Sequence, residues 1–302
     1  MSRFDRKKIA LPERGCEGSG SAVCCTFRRM KLGIFNKVFA RGTIEANLDA
    51  VAAHGLASIQ LNLETLGGES MPAQISLDLC AHVHRVLAEG DIELAAVSGT
   101  WNIIHPTEGP AGMPRLRGLA AACAALGTDL ITMCTGTRDP DYLWRAHADN
   151  DSTAAWRDAV LAMATAAAIA EEAGVTLIFE PEVNNVVNTA AKARRLLDEV
   201  ASKHLQVVID GANLFQAGQL SRMREVLDEA FQLLGQDIRM AHAKDLENDG
   251  DAGHQAAGTG VLDYEHYLMC LDRIGFTGSV VLHSLDEAQV PASRDFVRAR
   301  MP

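Results

Sequence analysis

The chain has 302 residues, of which 48% are hydrophobic and 22% are charged, so it can bury a large core and is neither a disordered nor a fibrous sequence. Its formal net charge of −11 would repel a polyanion, which disfavours a nucleic-acid partner. No apolar run reaches the roughly 18 residues of a transmembrane helix, so we expect a soluble protein without a membrane partner. The seven cysteines lack the spacing of a metal site or a small disulfide scaffold, which favours reduced thiols and a cytoplasmic location.

Residues 1–29 differ in composition from the rest of the chain. They carry seven basic side chains against three acidic ones, with Gly, Ser and Cys between them. They lack the apolar core of a secretory signal peptide, and we predict a basic, poorly ordered tail. A targeting peptide remains open, as does an upstream start codon with Met30 as the natural start.

From Met30 onward, short apolar runs rich in β-branched residues alternate with Ala/Leu-rich stretches of helical periodicity. Eight such runs predict strands, at 31–35, 57–63, 92–99, 129–136, 175–182, 205–213, 238–245 and 279–284. Eight strand-helix units predict an α/β fold, namely a (β/α)8 TIM barrel formed by residues 30–302 as a single domain. An open doubly wound sheet is disfavoured because the first strand continues into Asn36-Lys37-Val38-Phe39 instead of a glycine-rich loop.

Four polar residues end the last four predicted strands: Glu180, Asp210, His242 and His283. The active site of a TIM barrel lies at the C-terminal ends of its strands, so these side chains should converge there. Two carboxylates and two imidazoles suit a divalent metal ion with open positions for water or substrate. Each residue taken alone also fits a helix cap or an ion-pair partner, and a metal-free proton-transfer pocket remains open.

The strand ends IFEPE, VVIDGAN and HAKD, in this order, resemble those of the xylose isomerase-like TIM barrel superfamily of sugar phosphate isomerases and epimerases. In that superfamily a Glu, an Asp, a His and a second Glu hold the metal. The resemblance makes Glu180, Asp210 and His242 the first three ligands and puts His283 in the position of the second Glu. It implies one divalent ion, with Mn as the first expectation and Co, Mg, Fe or Zn as alternatives.

The resemblance implies an isomerase or epimerase that enolises a hydroxy-carbonyl sugar or sugar derivative. Because His283 replaces a glutamate, a mechanism with two metal-bound carboxylates does not carry over. His283 is then either a fourth metal ligand or a base, and Glu287 is a weaker substitute for the missing carboxylate.

Three other functions remain open at this point. A metal-dependent lyase or dehydratase would act by elimination on a keto-sugar or 3-keto-glycoside, starting from the same enediolate. A catalytically silent barrel would bind a sugar or serve as a subunit of a larger enzyme. Phosphodiester hydrolysis, as in the endonuclease IV branch, is disfavoured by the acidic chain and the small number of candidate ligands.

Further candidates surround the predicted strand ends. We expect catalytic contributions from Glu182 and His105, and substrate binding by Trp101, Arg138, Lys244 and Asn213. Simpler explanations exist for three of them: a loop histidine bonded to backbone, a packing tryptophan, and an ion pair of Lys244 with Asp245. The loops 136–151 and 246–262 are candidate lids, and the resemblance suggests a homo-oligomer.

Overall fold

The computed structural model describes residues 30–302, so the predicted basic tail at 1–29 lies outside the described residues. Each of the eight predicted apolar runs contains a β-strand, and one additional two-residue strand follows the seventh. The strands are β1 Lys31–Phe35, β2 Ser58–Leu61, β3 Glu93–Ser98, β4 Leu130–Cys134, β5 Thr176–Glu180, β6 Leu205–Asp210, β7 Ile238–Asp245, β8 Gln255–Ala256 and β9 Ser279–Leu282.

In the described part of the chain, eight α-helices connect or follow the barrel strands. They are α1 Ile44–Ala53, α2 Leu77–Glu89, α3 Glu108–Leu126, α4 Thr153–Ala173, α5 Ala190–Val200, α6 Met223–Leu234, α7 Tyr264–Arg273 and α8 Val290–Arg298. Side-chain and glycine caps mark the helix ends: the hydroxyls of Thr43 and Ser152 accept backbone N–H groups at the starts of α1 and α4, and Gly174 ends α4 in a left-handed conformation. Within residues 30–302, no helix is long and apolar enough to span a membrane.

The eight longer strands form one closed parallel sheet. β1 pairs with β2 on one side and with β9 on the other, and the remaining pairs run in sequence through β7, which pairs with both β6 and β9. β8 pairs antiparallel with the end of β7. The predicted (β/α)8 TIM barrel is therefore confirmed.

The interior of the barrel changes from apolar to polar along the strands. Side chains of a strand alternate between its two faces, so residues two positions apart share the inner face. One buried layer consists of Ala96, Leu130, Ile178, Val208, Met240 and Val281. Two residues further along the chain lie Ser98, Thr132, Glu180, Asp210 and His242 within their strands, and His283 directly after β9. The strand period thus directs these polar side chains into the C-terminal end of the barrel, while the larger apolar core fills the space between strands and helices.

Candidate metal centre

The four predicted strand-end residues lie together, and we call Glu180, Asp210, His242 and His283 the charged cluster. Nδ1 of His242 is 3.2 Å from Oε2 of Glu180 and 3.9 Å from Oδ2 of Asp210. Nε2 of His283 is 3.0 Å from the same Oδ2 of Asp210. The two imidazole rings are 4.4 Å apart between centroids. Asp210, His242 and His283 therefore lie mutually close at the barrel mouth, and Glu180 lies beside His242.

Gln60 on β2, which the sequence reasoning missed, orients His242 from the opposite wall. Its Oε1 lies 2.8 Å from Nε2 of His242, and its amide nitrogen donates to the hydroxyls of Ser98 and Thr132 at 3.0 and 3.2 Å. Because these hydroxyls occupy the amide nitrogen of Gln60, the amide oxygen faces the imidazole. Nε2 of His242 then carries the proton that it donates to Gln60.

The same arrangement leaves Nδ1 of His242 as a buried atom without a hydrogen-bond partner in the described structure. This atom faces the carboxylates of Glu180 and Asp210, an arrangement that is favourable when a cation, either a proton on Nδ1 or a metal ion, lies between them. Donor atoms of Asp210, His242 and His283 all lie within 4.8 Å of one another. Two carboxylates and two imidazole nitrogens are suitable ligands for a divalent metal, so the residues present fit such an ion.

The pKa shifts within the charged cluster bear on its ability to bind a metal ion. Burial raises the pKa of Asp210, but Lys244, whose Nζ is 3.6 Å away, and the two histidines outweigh burial and hold that pKa well below its usual range. Burial likewise raises the pKa of Glu180, and the charge of His242 more than offsets it. Burial and the charge of His242 lower the pKa of His283 to about 4, although Asp210 acts in the opposite direction. Ionised carboxylates and a neutral His283 are protonation states that bind metal. A divalent ion would supply the positive charge that the protonated ring of His242 otherwise supplies to the carboxylates.

A cavity of about 350 Å³, which we call the main cavity, opens beside the charged cluster. Glu180, His242 and His283 form part of its wall, and polar residues of the first four strand-helix units form another part. Leu143 and Trp144 cover it from the loop after β4. The volume is sufficient for a small polar molecule such as a monosaccharide, and the wall offers both hydrogen-bonding groups and an aromatic face.

A sequence model of the family described as the xylose isomerase-like TIM barrel matches residues 48–300. The chain belongs to this family. The match extends over most of the chain and includes all members of the charged cluster. No curated protein sequence matches the chain.

Several solved structures share the fold. The 3-keto-D-glucoside 4-epimerase from E. coli matches with a TM-score of 0.67 and 18% identity, covering 90% of this chain and 100% of that chain. The D-psicose 3-epimerase from Clostridium cellulolyticum H10, solved with D-tagatose, matches with a TM-score of 0.66 and 17% identity, covering 89% and 99%. The probable 3-DHS dehydratase from Bacillus anthracis matches with a TM-score of 0.69 and 14% identity, covering 89% and 98%. At these identities the likeness shows a shared fold.

In this member of the xylose isomerase-like family, Asn213 and Lys244 lie against the carboxylates of the cluster. The side-chain amide of Asn213 donates to Oε1 of Glu180, and its Oδ1 accepts the N–H of Gly253. Lys244 is buried beside Asp210. Both were predicted to bind substrate, whereas the contacts in the structure are with metal-ligand candidates and a neighbouring loop.

Glu182 lies close to the cluster but turns away from the main cavity. Its carboxylate accepts the backbone N–H of Asn184 and the side-chain N–H of Asn185, both at 3.0 Å. Burial, together with the charge of Glu180, raises the pKa of Glu182 to about 7. We predicted a spare catalytic carboxylate on the same face as Glu180, and the structure instead uses this group to hold the loop after β5.

Three other predicted residues lie away from the main cavity, contrary to expectation. Nδ1 of His105 accepts the N–H of Glu108 at 3.1 Å and so caps the start of α3. The indole of Trp101 donates to the carbonyl of Gly109 at 3.2 Å. Arg138 forms an ion pair with Asp158. The simpler explanations of a backbone-bonded loop histidine and a packing tryptophan therefore describe His105 and Trp101.

The alternative carboxylate Glu287 also lies outside the main cavity. Its two oxygens accept the guanidinium N–H groups of Arg41 at 2.6 and 3.0 Å, in an ion pair on the protein surface. Glu287 does not replace the second glutamate of the family pattern, so His283 remains the group that completes the charged cluster.

Proposed function

We propose that the chain is a divalent-metal-dependent sugar isomerase or epimerase that enolises a hydroxy-carbonyl sugar. The observation that carries this proposal is the unpartnered Nδ1 of His242, which faces two carboxylates beside a cavity of monosaccharide size. The names of the structural neighbours support it, because two of them are a 3-keto-D-glucoside 4-epimerase and a D-psicose 3-epimerase. Family membership supports the use of this barrel end as the active site.

Glu180, Asp210, His242 and His283 would hold the metal. A bound divalent ion supplies Lewis-acid polarisation of the carbonyl and of the neighbouring hydroxyl. Glu180 is the group we assign to removing the proton from carbon, since its carboxylate lines the main cavity and Asn213 and His242 fix its orientation. The ammonium of Lys244 offsets the negative charge of Asp210 and lowers the cost of an anionic intermediate nearby.

His283 distinguishes this site from one with two catalytic carboxylates. Its Nε2 is directed at Asp210, and its low pKa keeps the ring neutral near pH 7. We therefore assign His283 as the fourth donor. Nε2 would be the donor atom when the proton of the neutral ring is on Nδ1, 3.3 Å from the hydroxyl of Ser284. Removal of a proton and its return on the same face would then fall to Glu180, which favours isomerisation over inversion at one carbon.

A lyase or dehydratase is the second candidate, and a specific observation favours it. Of the predicted carboxylates, Glu182 and Glu287 turn to other partners, which leaves Glu180 as the carboxylate of the charged cluster that lines the main cavity. Elimination needs one base to remove the proton and departure of a neighbouring oxygen. The Bacillus anthracis neighbour, a probable 3-DHS dehydratase, supports this alternative.

The proposal is tested by solvent deuterium uptake. The protein, loaded with Mn²⁺, is incubated in D₂O with a panel of ketopentoses and ketohexoses, and proton NMR follows exchange at the carbon next to the carbonyl. We expect exchange by the unaltered protein and loss of it in Glu180→Gln. Glu287→Gln is the matched control, because it removes a carboxylate outside the cavity, and should exchange normally.

Metal content provides a second readout. Purified protein is soaked with Mn²⁺, Co²⁺ or Zn²⁺, desalted and analysed by mass spectrometry, beside His283→Ala. About one ion per chain, reduced in the variant, is expected from a four-donor site. No stoichiometric metal in the unaltered protein would contradict the proposal and favour a sugar-binding barrel without catalysis. Exchange that persists in Glu180→Gln would contradict the assignment of the base.

A further inference from the structure

A second cavity, which we call the side cavity, adjoins the main cavity. It encloses about 490 Å³ where the loop after β4 meets the loop after β7. Trp144 belongs to the walls of both cavities. The other wall residues of the side cavity are Tyr142, Arg145, Ala146, Asn184, Gly250, Asp251 and His254. A ligand seated in the main cavity therefore has a neighbouring space that shares Trp144 with it.

The wall between the two cavities is held in place by a network of side-chain amides. Asn184 donates to the carbonyl of Trp144 at 3.1 Å, and Asn185 donates to the carbonyl of Leu143 at 3.2 Å. Both asparagines are buried, and the carboxylate of Glu182 accepts hydrogen bonds from them. The backbone that carries Trp144 is thus fixed before any ligand arrives, which reduces the entropy cost of binding against it.

The facing loop is equally well anchored. The carboxylate of Asp245 accepts the N–H groups of Leu246, Gly258 and Leu262 at 2.9 to 3.0 Å, so both ends of the loop are tied to the end of β7. We expected a lid over 246–262, and these bonds make the segment a fixed wall. Asp251 is joined to the opposite wall by the amide of Asn184 at 2.7 Å.

The chemistry of the side cavity suits a carbohydrate ring. Tyr142 and Trp144 are 53% and 38% exposed, which is high for large aromatic residues and offers aromatic surface to the C–H face of a sugar. The guanidinium of Arg145 lies over one face of the Tyr142 ring, 5.6 Å from its centroid. Within residues 30–302, the Tyr142 hydroxyl and the His254 ring form no hydrogen bond, and Arg145 and Asp251 add charged groups around them. Aromatic faces beside free donors and acceptors can recognise neighbouring hydroxyl groups.

We propose that the side cavity is a subsite for a second saccharide unit. The substrate is then a keto-sugar that carries a glycosidic substituent: its reacting ring occupies the main cavity and the substituent passes over Trp144. This inference rests on the proposed function for the position of the reacting ring. It names the substrate class as a disaccharide or glycoside instead of a free monosaccharide.

Equilibrium binding tests the subsite without turnover. Isothermal titration calorimetry on the Mn²⁺-loaded protein compares D-fructose with maltulose, lactulose and isomaltulose, each of which joins a fructose ring to an aldohexose. We expect the best disaccharide to bind at least about tenfold more tightly than fructose, which corresponds to about 1.4 kcal/mol. Tyr142→Ala and His254→Ala should each reduce this preference at least threefold and leave fructose affinity unchanged. Leu77→Ala, which removes an exposed apolar side chain outside both cavities, is the matched control.

Two results would overturn the subsite. One is the finding that none of the tested disaccharides binds more tightly than fructose, and a complete lack of sugar binding counts as the same result. The other is an equal loss of affinity for fructose and disaccharide in Tyr142→Ala. A wrong proposed function would give another pattern of results. No ketose would then undergo metal-dependent deuterium exchange, while the protein would still bind disaccharides more tightly than fructose.

Discussion

The two halves of the barrel mouth have different chemistry although the same strand period builds them. The half formed by β5, β6, β7 and β9 presents the charged cluster of two carboxylates and two imidazoles. The half formed by β2, β3 and β4 presents the neutral side chains Gln60, Ser98 and Thr132 at the matching level of the barrel. At this level of the barrel, charge is therefore concentrated on one wall, and the opposite wall offers neutral hydrogen-bonding side chains.

The difference shows how the neutral half serves the charged one. A donor at Nε2 of His242 needs an acceptor across the barrel, and the amide oxygen of Gln60 provides it. A carboxylate at that position would add a third anion beside Glu180 and Asp210. A neutral amide instead selects the tautomer of His242 without changing the net charge of the site. The two halves form one hydrogen-bonded unit. We expect substitutions in the charged half to lower metal affinity more than substitutions in the neutral half.

Substitution of a charged residue should have the largest effect. Asp210→Asn keeps an oxygen for the N–H of Ala212 but removes the negative charge from the centre of the cluster. We expect metal affinity, measured by titration calorimetry with Mn²⁺ or Co²⁺, to fall more than about 100-fold, because loss of a ligand exceeds the 10–100-fold effect of an outer-shell partner. Glu64→Gln is the control, since Glu64 lines the main cavity from the neutral side and pairs with Lys37. Equal losses in the two variants would contradict the division between the halves.

A substitution in the neutral half should have a smaller effect on metal affinity. Gln60→Leu removes the acceptor for Nε2 of His242, so the ring loses its fixed tautomer and orientation. We expect metal affinity to fall about 10–100-fold, as for other outer-shell partners of a metal-bound histidine. Ser98→Ala removes one of the two hydroxyls that hold the amide and should change affinity less than threefold. Unchanged affinity in Gln60→Leu would show that Gln60 does not orient His242.

The fold and the charged cluster were predictable from the sequence for a physical reason. Each barrel strand is a short local run, and a polar residue at its end, as in IFEPE or VVIDGAN, stands out against the apolar residues before it. The topology of the barrel then brings such ends together regardless of distance along the chain. The pairing of Asp210 with His283 across 73 positions follows from this rule.

Residues in loops and inside apolar runs were not predictable in the same way. Gln60 carries a weak signal, a single amide within ASIQLNL, and its role depends on a partner 182 positions away. His105 and Trp101 looked like site residues because they follow β3, but the direction of a loop is set by its own hydrogen bonds, here to Glu108 and Gly109. Trp144 reaches the main cavity only because two asparagines from another loop hold its backbone.

The smallest predicted effect concerns backbone strain beside the charged cluster. Ser284 follows His283 and has φ of 56°, a left-handed conformation that costs a residue with a Cβ about 1 kcal/mol or more. Ser284→Gly should therefore raise the free energy of unfolding, measured with urea, by about 0.5–1 kcal/mol after the greater chain entropy of glycine is included. Ser284→Ala is the control, because it removes the hydroxyl 3.3 Å from Nδ1 of His283 without relieving φ, and should be no more stable than the unaltered protein. If Ser284→Gly gains stability but binds metal more weakly than Ser284→Ala, the strained backbone itself positions His283 on the charged half.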